Sequence, residues 1–193
     1  MIGFLVAHGW ENRRPAGHWQ HWLAGELAAQ GHHVHYPQFP SPDEPVLDEW
    51  LTEFRRHLAA LDGDERVLVA HSLAVLLWWT AQPALGELQP DRVLLVAPPS
   101  PGRLRREPAV AAFVPDGIET IPLDDDVRRR VRMVAADDDP YCPGGALEVY
   151  GRSHGLDVDV VPGGGHLDLP AGYGSWPSVL RWCTDPTTRI TGR

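Results

Sequence analysis

Six short apolar runs, separated by longer segments with helical spacing, restrict this chain to an α/β architecture. The runs cover residues 2–7, 34–36, 66–70, 92–97, 130–135 and 157–161. Most are nearly uniform in apolar content, as strands buried on both faces must be. Between them, residues 18–30 place Trp19, Trp22, Leu23 and Leu27 on one face, and residues 43–61 repeat apolar side chains at three- and four-residue spacing. Further helices are expected over 72–81, near 144–154 and over 177–183. The alternation predicts a three-layer fold: a mostly parallel sheet of about six strands with helices on both faces.

The 193 residues suit one domain, with 184–193 as a polar tail expected to be mobile. The proline-rich stretch 98–126 reads as a surface excursion with one helix near 108–113, and two charge runs, 124–126 and 128–130, lie close by. A net charge of −9 opposes binding to nucleic acid or to an anionic membrane, since both need basic surface. No apolar run is long enough to span a bilayer, and the opening MIGFLVAHGW reads as a strand rather than a secretory signal. The two cysteines, Cys142 and Cys183, make no disulfide framework. A cytoplasmic protein is expected. His18, His21, His32, His33 and His35 lack partners at metal-ligand spacing, so no metal site is read; His18, Trp19, His21 and Trp22 read as a packing face that extends to a cleft wall.

Four segments carry chemistry. In VLVAHSLAVLL (67–77) a buried strand runs through His71 into Ser72 and directly into an apolar helix, the layout of a nucleophile elbow. The sharp turn needs small residues two before and two after the serine, and Ala70 and Ala74 stand where glycine is usual. The competing reading is that Ser72 only caps the helix. In VRMVAADDDPYCP (131–143) a strand ends in three aspartates; Asp139 has the better flanks for a histidine-orienting acid, and Asp138 is the alternative. In VVPGGGHLDLP (160–170) three glycines free the loop that presents His166 as a general base, against the reading of a merely exposed histidine. In LVAHGW (5–10) the backbone N–H of Trp10 is one candidate oxyanion donor, and that of Leu73 is the other. His8, Gly9, His71, Tyr141 and Leu167 are candidate pocket-lining residues.

Together these segments follow the order Ser, Asp, His, and each follows a strand of one parallel sheet. If the second strand lies outside the first, the chain reverses between the first and third strands, where a ligand crevice belongs.

The sequence resembles the small serine hydrolases of the YdeN and retinoblastoma-binding-protein type, within the α/β-hydrolase superfamily. The resemblance covers most of the chain and rests on LVAHGW, GHWQHWL, VAHSLA, DDDPYCP and GGGHLDLPAGYGSWP. It implies a minimal hydrolase core without a lid domain, with Ser72 as nucleophile, Asp139 as acid and His166 as base. The expected activity is hydrolysis of a small carboxylic ester, or a related amide or thioester, without metal or organic cofactor. The partner is then a small acyl substrate; nothing points to a protein partner, although a hydrolase fold that has lost turnover and serves as a binding module is the rival reading.

Overall fold

The computed structural model describes residues 1–120 and 123–193. Six strands, β1 (Ile2–Ala7), β2 (His33–His35), β3 (Glu65–His71), β4 (Arg92–Val96), β5 (Val131–Ala136) and β6 (Asp157–Val161), form one parallel sheet. Their order is β2-β1-β3-β4-β5-β6. The chain therefore reverses its direction of progress between β1 and β3, which pair along their length from Ile2–Glu65 to Ala7–Ala70. A crevice forms outside the carboxyl ends of strands at such a switch point.

Alternate strand residues feed two cores. Leu5, Ala7, Leu68, Ala70, Leu95 and Met133 face α2 (Leu47–Ala59) and α3 (Leu73–Ala81). Phe4, Val6, Val67, Val69, Leu94 and Val134 face α1 (Trp19–Ala29) and α6 (Pro177–Thr184). α3 is apolar all round because it lies under other elements: eight of its nine residues are buried. The fold is the three-layer α/β-hydrolase architecture, with no lid domain among the described residues.

Several boundaries differ from expectation. α2 begins at Leu47 rather than at residue 43, because Pro45 pushes Glu44 away from helical angles. β2 is displaced by one residue and is only half-buried, so its apolar signal is weak. The stretch 98–126 is more than a surface excursion. It contains a short helix, α4 (Pro101–Leu104), and a 3₁₀ turn at Ala111–Phe113 in place of the expected helix near 108–113. It also buries Val110, Phe113, Ile118 and Leu123 in the α2–α3 core; residues 121–122 lie outside the described residues. The two charge runs form a helix, α5 (Asp125–Arg130). Asp124 caps it by accepting from the Asp126 N–H at 2.8 Å, with acids in the first turn and arginines in the last, as the macrodipole favours. The helix expected near 144–154 is wound as a π-helix over Leu147–Arg152.

The tail is tied down in this structure. Ile190 is buried, its N–H donates to the buried Asp159 carboxylate at 2.9 Å, and Arg189 pairs with Asp157 and Asp159.

Candidate active site

Residues 67–70 carry β3 through both cores to the sheet's carboxyl edge, where Ser72 turns the chain into α3. Ser72 has φ 55° and ψ −121°, a strained conformation for a side chain with a Cβ. Its N–H is fixed by the Val96 carbonyl at 2.9 Å. Ala70 and Ala74 are fully buried, so the small residues required by the turn are accommodated as alanines. Ser72 occupies the N-cap position of α3 but makes no side-chain cap bond. The capping reading is thus set aside: the hydroxyl lies 2.9 Å from His166 Nε2.

The three aspartates after β5 each grip the glycine loop after β6. Asp137 accepts from the Gly163 N–H at 2.8 Å, Asp138 from the Gly165 N–H at 2.7 Å, and Asp139 from the His166 ring. His166 Nδ1–H donates to Asp139 Oδ2 at 2.9 Å, with Oδ1 at 3.1 Å. Asp139 is almost wholly buried and also accepts from the Tyr141 N–H at 2.8 Å, which holds the carboxylate in one orientation. Nδ1 thus carries the proton and Nε2 presents its lone pair to the serine hydroxyl, the arrangement needed to draw off the Ser72 proton.

This chain of contacts opens into a cavity of about 420 Å³ at the switch point. Of the candidate lining residues, Gly9, His71 and Tyr141 line it, together with Ser72, His166 and the two candidate oxyanion donors, Trp10 and Leu73. The Tyr141 ring lies 4.4 Å from the His166 ring, centroid to centroid. Leu73 is the first residue of α3, where helical N–H groups have no partner within the helix, and Trp10 is held by its indole N–H donating to the Asp43 carbonyl at 2.9 Å.

Two expected lining residues do not line the cavity. His8 points into the α2 side of the sheet: its Nδ1–H donates to the Gly9 carbonyl at 2.8 Å, and its Nε2 accepts from the Phe39 N–H at 2.8 Å. Burial lowers its basicity to about 4, so it is a neutral brace. Leu167 is fully buried in the α1–α6 core because the loop turns at φ 48° there, and its carbonyl accepts the Trp19 indole N–H at 2.8 Å. Residues of the wall that sequence reasoning passed over include Asn12, Arg13, Pro99, Leu104 and Asp168. For Asp168 a signal existed, since it stands two residues after His166 on the same glycine-led loop. Of the packing face read at the start of α1, Trp19 is core, while His18 does reach the cavity wall.

His71 is buried beside the Ser72–His166 contact, and its Nε2–H donates to the His166 carbonyl at 3.1 Å, tying the elbow to the glycine loop. Burial, with His166 and His18 nearby, holds its imidazole well below the usual histidine range. Both cysteines are free and buried; burial, reinforced by the Asp139 carboxylate, pushes the Cys142 thiol up to about 12. Cys142 is therefore a protonated spectator at neutral pH.

A parallel sheet in this order, with a strained serine at the end of its third strand, is the architecture of the α/β-hydrolase class. Within that class the chain belongs to the serine hydrolase family, whose model matches residues 4–184. It is similar to the ydeN gene product of B. subtilis, at 23% identity and a TM-score of 0.75 over 95% of this chain and 97% of that one. A YdeN-like hydrolase from Pectobacterium atrosepticum matches at 19% identity and a TM-score of 0.69, over 93% and 87% of the two chains. A pyrethroid hydrolase from Sphingobium faniae matches at 15% identity and 0.63, over 96% and 97%. No curated protein matches the chain. Among the described residues no helix is long and apolar enough to cross a membrane.

Proposed function

We propose that this protein hydrolyses a small carboxylic ester, or a related amide or thioester, through an acyl-enzyme on Ser72. The observation that carries the reading is the hydrogen-bonded series Ser72 Oγ, His166 and Asp139, at 2.9 Å for each link, opening onto the cavity. His166 Nε2 takes the hydroxyl proton as Ser72 Oγ bonds to the carbonyl carbon. Asp139 orients the ring and stabilises the imidazolium. The N–H groups of Trp10 and Leu73 hold the oxyanion, each contributing roughly 3 kcal/mol to the barrier reduction. The carbon–oxygen bond to the leaving group then breaks, and His166 returns the proton to the departing alkoxide. Water attacks the acyl carbon, gives a proton to Nε2, and Ser72 departs and recovers it, leaving acid and alcohol.

We also read the 193 residues as one cytoplasmic domain acting on a small molecule, in keeping with two unpaired thiols and a net charge of −9. The test is a panel of short and long acyl esters, amides and thioesters, run with wild type, Ser72→Ala and His166→Ala side by side. Turnover of at least one ester that falls by several orders of magnitude in both variants is expected. Equal turnover by wild type and Ser72→Ala would remove Ser72 from the mechanism, and no turnover by folded wild type would favour a binding module.

A further inference from the structure

The N-cap of α1 places in the wall of the catalytic cavity a polar group that the acyl-transfer steps leave unused. His18 is the N-cap of α1: its Nδ1 accepts the Gln20 N–H at 3.2 Å. Nδ1 must then carry the lone pair. Burial lowers the basicity of this imidazole to about 4, so at neutral pH its single ring proton sits on Nε2. His18 is 2% exposed and lines the same cavity as Ser72; its Nε2 is buried within that wall and has no partner among the described residues. A buried N–H without an acceptor is costly, so one retained in the wall of a cavity points to an acceptor brought by a ligand.

Asp168 supplies the opposite polarity. It lines the same cavity, half-buried, and is held there by its Oδ1 accepting the Ala171 N–H at 2.9 Å. The segments that carry the two residues are joined: the Trp19 N–H donates to the Tyr173 carbonyl at 3.0 Å, and the Trp19 indole donates to the Leu167 carbonyl at 2.8 Å. A neutral donor and a carboxylate acceptor thus share the wall beside His166. A hydroxyl group satisfies both, accepting one hydrogen bond and donating the other.

His166 must deliver its proton to the leaving group, so the departing alcohol passes along this wall. We infer that the substrate is a monoester of a polyhydric alcohol, with a free hydroxyl next to the ester oxygen accepting from His18 Nε2–H and donating to Asp168. The inference rests on the hydrolase reading and adds the chemistry of the leaving group to it. Sites built to bind a hydroxyl reject analogues that lack it, because the site's own polar groups are then left unpaired.

The probes are 2-hydroxyethyl butyrate and n-propyl butyrate, which match in size and differ by a hydroxyl for a methyl. Wild type is expected to favour the hydroxyethyl ester by about tenfold or more in kcat/KM. His18→Asn keeps a side-chain acceptor for the helix cap but removes the Nε2 donor, and it should bring that ratio to within about twofold of unity. Asp168→Asn keeps an oxygen for the Ala171 N–H and should lower the ratio in the same direction, which preserves the test if His18→Asn does not fold. A wild-type ratio near one, or a ratio unchanged in folded variants, overturns the inference. So does failure to cleave either ester; labelling of Ser72 by a fluorophosphonate then reports separately whether the hydrolase reading itself survives.

Discussion

Gly9 stands so close to Ser72 that a Cβ added to residue 9 would lie 2.7 Å from the Ser72 Cβ and 3.2 Å from its Oγ. The contact joins the loop after β1, which carries Trp10, to the elbow after β3. No flexible tip is available to move aside, so an added methyl must shift one backbone against the other. Gly9→Ala is expected to lower kcat about a hundredfold, as displacements near an ångström do at a reacting centre. The accompanying stability loss should be roughly 1–3 kcal/mol, read by urea unfolding beside ester turnover.

The neighbouring aspartates should separate cleanly. Asp139 orients the His166 ring, whereas Asp138 braces only the Gly165 N–H. Asp139→Asn is expected to cut kcat by about 10⁴, because an amide no longer enforces the tautomer that leaves Nε2 unprotonated. In Asp138→Asn the amide oxygen can still accept from Gly165, and kcat should stay within about tenfold of wild type. Comparable losses in both variants would contradict this division of roles.

Stability should fall on the acid side. His8 and His18 have ordinary values of 6.5 that burial lowers to about 4 in the folded protein. Well above pH 6.5 these rings are neutral in both states. Between 6.5 and 4 the unfolded chain takes up protons that the folded chain refuses, so unfolding free energy declines as pH falls. Each histidine contributes at most about 3 kcal/mol to that decline. Urea unfolding across this range should show a shallower slope in His8→Gln than in wild type, whatever the variant's stability at neutral pH; an identical slope would contradict the assignment.

The C-terminal segment should be needed for stability. Thr191 offers its carbonyl to the Trp176 indole at 2.7 Å and to the Ser178 hydroxyl at 2.9 Å, and Ile190 is buried. Ending the chain after Thr188 strips two donors of their acceptor and exposes apolar surface, at an expected cost of roughly 3–5 kcal/mol in thermal or urea unfolding. A mobile, dispensable tail would cost almost nothing.

Much of the fold was legible because strands buried on both faces leave continuous apolar runs: β1 and β6 match their expected limits, and β3 to β5 lie within a residue or so of theirs. Apolar periodicity missed what polar chemistry builds. α5 has no buried residue, and its signals were the Asp124 cap and the acid-to-base order of its charges. The π-helical winding at Leu147–Arg152 depends on packing that no local pattern announces. At the site, the order Ser, Asp, His was readable because each residue follows a strand. Side-chain direction just beyond a strand or within a glycine loop was not: His8 turns to the Phe39 backbone and Leu167 into the α1–α6 core, each decided by tertiary contacts. Asp168 was adjacent to residues singled out, yet its place in the wall depends on the Trp19 contacts that bring α1 to that loop.

The central claim, that Ser72 is the activated nucleophile, is tested most directly by intact-mass and peptide analysis after fluorophosphonate treatment. One adduct per chain is predicted, carried on the peptide containing Ser72 and abolished in Ser72→Ala. Folded wild-type protein that takes up no label, or carries it on another residue, would contradict the account.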